Sequence, residues 1–340
     1  MRRTGMRRVA GFSLVELMVA LALGLFLIGG ILNIFLTNQQ AFRTNDNLAR
    51  LQENVRLAFE LTAREIRLAG GNACGAAQIG NVLEDRNVQW SSNWDAGPLR
   101  GFEGDQEVPD IVATGTGLAQ RLAGTDAIVV LSGALDNGVM LANHDAATAV
   151  IQAGNINHGF SQGEIVMVCD PQSATIAQIT AANSGTTANL TFAANTADPL
   201  PGNCTIGLGF PSVCGGTGTT KTFSPGGFIN RLTASTWYIG TNANQGRSLY
   251  RRNAAGVSEE VADGVTDLQI EYLLRNTSSQ ALASEWVDAD EVADWTTGAP
   301  EQVVAVRMRL ALQTAQNVGT DRQALRRDLI QVINIRNRSL

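Results

Sequence analysis

Residues 11–16 read Gly-Phe-Ser-Leu-Val-Glu and open the apolar segment that decides the fold of this chain. The segment runs from Phe12 to Leu36, and its polar side chains are Ser13, Glu16 and Asn33. As an α-helix it would be ~37 Å long, which is enough to cross a bilayer once. A carboxylate inside hydrocarbon costs ~2.5–3.5 kcal/mol, so Glu16 needs a partner that neutralises its charge.

Cleavage of the chain between Gly11 and Phe12 would create such a partner. The new α-amino group stands about 6 Å from the level of Glu16 along the helix axis. In a stack of identical helices offset along their axes, the glutamate of an incoming subunit meets the ammonium group of its neighbour, and each offsets the desolvation cost of the other. Glu16 is therefore predicted to set the register of assembly. The alternative is a plain membrane anchor in which Glu16 reaches back to the lipid headgroups.

Basic residues flank the apolar segment on one side. Arg2, Arg3, Arg7 and Arg8 precede it, and the next basic residue along the chain is Arg43. By the positive-inside rule the N-terminus lies in the cytoplasm and everything after the apolar segment is exported. The expected topology is therefore a single span with an exported C-terminal domain.

These features together resemble the class III signal of type IV prepilins and of type II secretion pseudopilins. The matching features are the short basic leader, Gly11 followed by Phe12, and a glutamate, Glu16, as the fifth mature residue. The resemblance implies cleavage after Gly11 by prepilin peptidase, N-methylation of Phe12 and retention of the apolar segment. An ordinary secretory signal would instead be removed together with its hydrophobic core.

The chain after Leu36 continues the helix, now with one apolar face. Gly70 and Gly71 are expected to end it. Glu60 and Arg64 on the polar faces have the favourable i, i+4 spacing. A helix over residues 12–69 would be ~87 Å long. The residues of its apolar face recur at intervals of three or four positions. They are Leu48, Leu51, Val55, Ala58 or Phe59, Thr62, Ile66 and Ala69.

The remainder of the chain predicts a β-rich domain with short apolar runs between turn residues. The fold class expected is α+β and pilin-like: a long N-terminal α-helix, transmembrane and then amphipathic, packed on an antiparallel β-sheet domain with loop insertions. Residues 181–203 are predicted to be a mobile loop or a hairpin insertion. Strands are predicted over residues 126–132, 164–170, 175–180, 236–240, 248–252, 266–274 and 302–314.

The predicted organisation has four parts. Residues 1–11 form a cleaved leader, 12–36 the transmembrane or filament-core helix, 37–70 the amphipathic continuation, and 71–340 the exported domain. The domain contains four cysteines, and an even number in an oxidising compartment predicts two disulfides with three possible connectivities. Cys204 and Cys214 enclose a short loop, so their pairing is preferred, which leaves Cys74 with Cys169. The cysteine and histidine spacing of a zinc site is absent.

Charge argues against direct nucleic-acid binding. The 25 basic and 31 acidic residues give a net charge of −6, and loss of the four leader arginines leaves −10. Binding through a basic stripe needs clustered lysine and arginine. This chain has a single lysine, Lys221, and its arginines are scattered apart from Arg251-Arg252 and a C-terminal group.

Motifs that could indicate an enzyme or a metal site lack the required context. Residues 159–163 match G-x-S-x-G, but that motif needs a strand before Ser161 and a helix after it, whereas a strand is predicted to follow. Acidic residues 288–294 lack the glycine and the final glutamate of an EF-hand loop. We therefore predict no enzymatic activity, cofactor, metal or small-molecule substrate. His144 and His158 are expected to be exposed, and the tryptophans to pack in the core or at sheet edges.

Further segments resemble the PilW family of type IV pilus minor pilins, and they lie in residues 48–60, 64–70, 164–170, 264–272 and 333–338. The resemblance implies a minor pilin that, once processed, takes part in a priming or tip complex that initiates type IV pilus assembly. Its partners would be other minor pilins and the major pilin, and its final location the pilus at the cell surface. Many major pilins have a proline at the position that Asn33 occupies in this chain. This difference argues against the major subunit. The alternatives are a J-type minor pseudopilin of a type II secretion system and a pilus-tip adhesin module.

Overall fold

The computed structural model describes residues 13–338 except 85, 87–88, 109–110, 134–137, 186, 195–200, 315, 318 and 320–322. The elements of the described part are one long helix, two 3-10 turns and strands in two sheets. They are α1 (Leu14–Leu68), β1 (Gln78–Asn81), β2 (Leu99–Phe102), β3 (Ala127–Gly133), β4 (Val139–Asp145), β5 (Val150–Ala153), β6 (Ile165–Cys169), β7 (Ser173–Gln178), β8 (Ala181–Ala182), β9 (Asn189–Thr191), β10 (Phe228–Thr241), β11 (Arg247–Asn253), β12 (Ser258–Asp263), β13 (Val265–Asn276), β14 (Glu301–Gln313) and β15 (Arg326–Asn334), with 3-10 turns at Ala289–Glu291 and Arg336–Arg338.

The chain divides into two compact units. The first contains the helix up to residue 52 together with residues 314–325. In this unit α1 is continuous through Gly24, Gly29 and Gly30, and it is long and apolar enough to span a membrane. The predicted helix over residues 12–69 is therefore confirmed as one uninterrupted element, within the residues that the structure describes.

The second unit contains the rest of the helix and both sheets. The apolar face predicted for α1 is buried here, at Ala58, Phe59, Thr62 and Ile66. One detail of the prediction is wrong: the Glu60 carboxylate pairs with Arg56 at 2.8 Å instead of with Arg64. Both spacings put the partner one turn away, so sequence spacing alone does not choose between them.

Strand β10 organises the larger sheet, which has 12 strands. The first part of β10, Phe228–Arg231, pairs with β6, and residues 232–241 pair with β3 and β11. Strand β6 lies between two hydrophobic cores because successive side chains of a strand point to opposite faces. Val166 and Val168 belong to one core, and Met167 and Cys169 belong to the other.

The smaller sheet has three antiparallel strands in the order β13-β14-β15. Aliphatic residues alternate along β14, and Val306, Met308 and Leu310 are at most 1% exposed. On the other face Arg307 pairs with Glu271 of β13, and Arg309 pairs with Asp328 of β15 at 2.6 Å. Cross-strand ion pairs thus line the outer face of this sheet, and aliphatic side chains line the inner face.

The insertion at residues 181–203 is a hairpin rather than a mobile loop in its described part. Strands β8 and β9 pair antiparallel, and Leu190 and Phe192 are completely buried. These two apolar side chains attach an otherwise small and polar segment to the core. The seven strands predicted from the sequence are all present, and β10 is longer than predicted because it begins at Phe228.

Asp126 gives the domain a predicted pH dependence. Its carboxyl is 3% exposed and accepts the Ile270 N–H at 2.7 Å through Oδ2. Burial raises the pKa of Asp126 from 3.8 to about 7, against the opposing effect of that hydrogen bond. Between about pH 4 and pH 7 the unfolded carboxyl is ionised while the folded one keeps its proton, so the free energy of unfolding falls as pH rises.

Asp126→Asn is therefore expected to be more stable than the parent at pH 8 by roughly 2–4 kcal/mol. The difference should shrink towards pH 4, where both proteins are uncharged at this position. Urea unfolding of a soluble fragment from residue 37 at a series of pH values measures it. Asp294→Asn, at an exposed position, is the control. A pH-independent difference for Asp126→Asn would contradict this account.

Candidate functional site

Ser13 and Glu16 form reciprocal hydrogen bonds where helix α1 begins. The Ser13 hydroxyl oxygen accepts the Glu16 N–H at 3.2 Å, and Glu16 Oε2 accepts the Ser13 N–H at 3.4 Å. This is a capping box, which satisfies two of the free N–H groups at a helix start. Oε1 of Glu16 makes no hydrogen bond among the described residues, so it is available to a cation from another molecule. Gly11 and Phe12, the predicted processing residues, lie outside the described residues.

The helix surface that follows is apolar and exposed on all sides. Leu14 is 77% exposed, Phe26 85% and Phe35 62%. A side-chain methyl added at Gly24, Gly29 or Gly30 would have no neighbour within 4 Å. A helix that is apolar all round requires a bilayer or other helices around it, and small residues allow those helices to approach closely. Residues 14–36 therefore form a surface suited to both environments.

The second half of the helix is attached to the larger sheet by Glu65. Its Oε2 accepts hydrogen bonds from the Trp237 indole N–H at 2.7 Å and from the Ser235 hydroxyl. Its Oε1 accepts the Arg251 Nε–H at 2.8 Å. Trp237 is completely buried, and Glu65 supplies the acceptor that its indole needs. One helix carboxylate thus holds β10 and β11 at once.

Glu65→Ala is expected to lower the free energy of unfolding by roughly 2–4 kcal/mol, because it leaves a buried indole N–H and a partly buried guanidinium without an acceptor. Urea unfolding of the fragment from residue 37 measures the loss. Glu60→Ala is the matched control: it removes a carboxylate from the same helix, but one whose ion pair with Arg56 is exposed. Exposed pairs contribute little. Equal losses for the two variants would show that the Glu65 contacts are not stabilising.

The helix ends at the glycine pair predicted to stop it. Gly70 has φ +71°, a left-handed conformation that glycine adopts without strain. Its N–H donates to Leu131 O at 2.9 Å, and the Gly71 N–H donates to Leu68 O at 2.9 Å. The backbone is therefore hydrogen-bonded to strand β3 at the point where the helix ends.

Two disulfides secure the chain beyond the helix. Cys74 is bonded to Cys169 of β6, and Cys204 is bonded to Cys214. This is the pairing preferred from the sequence. The first bond attaches the segment that follows the helix to the strand shared by the two cores. The second closes a short loop, so each has a separate structural role.

Other candidate residues do not assemble into a catalytic or metal site. Ser161 is exposed in a turn that leads into β6. Within the described residues, no group of three or more histidine, cysteine, aspartate or glutamate side chains could hold a metal ion, which includes the acidic run at residues 288–294. Of the tryptophans, Trp94 and Trp237 are at most 2% exposed.

The expectation that the two histidines are exposed is wrong. His144 is 6% exposed and His158 5%. Each accepts a backbone N–H through Nδ1, at 3.0 Å, from Phe223 and Phe160 respectively, and each stacks on the ring of that phenylalanine. Burial lowers the pKa of His144. Both residues are structural, and they bury their rings because a phenylalanine covers each one.

Two family models match the chain. The model of type IV pilus-assembly protein W matches residues 236–334, which run from β10 to the end of β15. The model of the prokaryotic N-terminal methylation motif matches residues 6–32, which include Gly11, Phe12 and Glu16. No curated protein and no solved structure matches the chain. The two matches thus cover the helix start and the strands of the smaller sheet.

Proposed function

We propose that this chain, a PilW-like type IV pilus minor pilin, joins other minor pilins in the complex that initiates pilus assembly. The two family matches, over residues 6–32 and 236–334, and the pilin-like fold support this family assignment. Its place in an initiating complex is the proposal. The observation that carries it is the exposed apolar surface of α1 over residues 14–36, which no described residue of the same subunit covers.

Processing and location belong to the same proposal. Prepilin peptidase would cut after Gly11, and Phe12 would be methylated, as the methylation-motif match implies for its residues 6–32. Before assembly the helix over residues 14–36 would lie in the inner membrane with the domain in the periplasm. During assembly it would leave the lipid and pack against the helices of neighbouring subunits. Glu65 attaches the domain to the second half of the helix.

Glu16 is proposed to guide that transfer by pairing with the α-amino group of a neighbouring subunit. Its Oε1 makes no hydrogen bond among the described residues, which supports this role. Its capping box with Ser13 supports a second role, in the start of the helix. The two roles make different demands on the side chain. The pairing needs the negative charge, whereas the cap needs only an oxygen acceptor.

Glu16→Gln is expected to be cleaved normally but to recover the other minor pilins at least about 10-fold less well, because a glutamine cannot neutralise an ammonium group. Co-purification of tagged full-length chain with the minor pilins of its own cells, from detergent extracts, measures this. Ser13→Ala is the matched control, since it breaks the capping box and keeps the charge. If Ser13→Ala loses recovery and Glu16→Gln does not, Glu16 acts through the cap alone.

The identity of the recovered subunits also separates the two assemblies that the leader allows. Recovery of type IV pilus minor pilins supports the proposal. Recovery of secretion pseudopilins in their place would assign the chain to a type II secretion system and would overturn it.

A further inference from the structure

An unpaired strand edge borders a groove beside helix α1. β15 pairs with β14 on one side, and no strand of the described part of the chain pairs with its other side. The groove has a volume of ≈ 900 Å³. The last turns of α1 line it with Leu61, Arg64 and Arg67, and the edge strand lines it with Val332 and Asn334. All of these residues belong to the same compact unit.

The hydrogen-bond ladder shows which backbone groups of β15 face away from β14. The Ile335 N–H donates to Val304 O at 2.9 Å, which sets the phase of the ladder. Residues of an antiparallel strand alternate between those that bond to the neighbour and those that do not. Counting from Ile335, the N–H and C=O groups of Ile330, Val332 and Asn334 point to the open edge. They form a row that another strand can pair with.

Beyond the charged start of β15, Arg326-Arg327-Asp328, the side chains along this edge do not protect it from pairing. Ile330 is 60% exposed and Val332 is 53% exposed. Natural proteins usually block a free edge with charged residues, proline or a bulge. The centre of β15 reads Ile330-Gln331-Val332, with no charge and no proline, and its pairing with β14 is regular. This edge is therefore suited to being covered.

The charge of the groove indicates what covers it. Arg251 lines the groove too, but its charge is met by Glu65 at 2.8 Å. Arg64 and Arg67 form no ion pair among the described residues, and both are exposed. The mature chain has a negative net charge, but these two uncompensated arginines form a local basic surface beside the open strand edge. Such a surface complements carboxylates.

We propose that the β15 edge and this groove bind an extended acidic segment of a neighbouring pilus subunit. The segment would add a fourth strand to the β13-β14-β15 sheet and place carboxylates against Arg64 and Arg67. Main-chain hydrogen bonds supply affinity in this mode of recognition, and alternate side chains supply specificity. The inference rests on the proposed function, because it takes the partner from the same assembly.

Val332→Pro tests the inference. Proline lacks an N–H, and at Val332 that group points away from β14, so the substitution removes a donor from the open edge and leaves the ladder within the sheet intact. Val332→Thr is the control, since threonine keeps the N–H and the β-branched shape. Tagged full-length chains with either residue are purified from their own cells, and the co-purified minor pilins are quantified.

We expect Val332→Pro to recover about 10-fold less of its neighbour than Val332→Thr, which corresponds to the loss of one or two hydrogen bonds. Equal recovery with the two variants overturns the strand-addition proposal while leaving the proposed function standing. If the parent chain recovers no minor pilin, the proposed function fails as well. Recovery of a second copy of this chain in place of another subunit overturns the assigned partner.

Amide hydrogen exchange gives a second test that needs no substitution. In the complex of the parent chain, the amides of Ile330, Val332 and Asn334 are expected to exchange at least about 10-fold more slowly than in the isolated chain, because strand addition protects them. Unchanged exchange at these three amides in a complex that does form would overturn the proposal. This measurement also covers the case in which Val332→Pro fails to fold.

Discussion

Gly11→Val is expected to abolish leader removal, which is the largest effect that the proposed function predicts. A peptidase must reach the carbonyl carbon of residue 11, and a β-branched side chain restricts both the backbone conformations available there and the space beside the carbonyl. The uncut chain also lacks the α-amino group at Phe12. It therefore offers no cation to the Glu16 of a neighbouring subunit.

Mass spectrometry of the membrane-bound chain measures this result. The parent is expected to begin at Phe12, and Gly11→Val at the leader. Gly5→Val is the control because it places the same side chain elsewhere in the leader. A mature N-terminus at Phe12 in Gly11→Val would show that processing does not depend on this glycine.

Removal of the Cys74–Cys169 disulfide is expected to have the largest effect on stability. The two cysteines are 95 residues apart. A cross-link that closes a loop of that length stabilises by about 4–5 kcal/mol, chiefly by limiting the unfolded chain. Cys74→Ser with Cys169→Ser should lower the free energy of unfolding by that amount, as measured by urea unfolding of the fragment from residue 37.

The Cys204–Cys214 disulfide is the control because it closes a much shorter loop. Cys204 and Cys214 are 10 residues apart, and the same relation predicts a loss of about 3 kcal/mol when both become serine. Removal of the disulfide that closes the longer loop should therefore lower the free energy of unfolding more. A smaller loss for the Cys74–Cys169 pair would contradict the view that this bond fixes the chain beyond the helix to the shared strand β6.

Features with a local cause were predictable from the sequence. Helix α1 follows from the apolar run and the 3.6-residue period, and it ends where Gly70 adopts a left-handed conformation. Strand β14 follows from the alternation of aliphatic residues with Arg307 and Arg309. The start of the candidate site was also visible, because a lone carboxylate in an apolar segment is conspicuous at Glu16.

Features that depend on distant residues were not predictable. Glu65 lies among the polar residues of the helix sequence, and its three hydrogen-bond partners lie at least 170 residues away. The signal available in the sequence was Trp237, whose indole needs an acceptor when buried. The sequence does not predict strand β15, because its charged start, Arg326-Arg327-Asp328, interrupts the alternation of apolar and polar residues. The burial of His144 depends on Phe223, which approaches it only in the folded chain.

The number of surface pili tests most directly whether this chain helps to start pilus assembly. Pili are counted by electron microscopy on cells that lack the chain and on the same cells supplied with the parent, Glu16→Gln or Gly11→Val. We expect few or no pili without the chain, restoration by the parent, fewer pili with Glu16→Gln than with the parent, and failure of Gly11→Val to restore them. An unchanged number of pili on cells that lack the chain would contradict it.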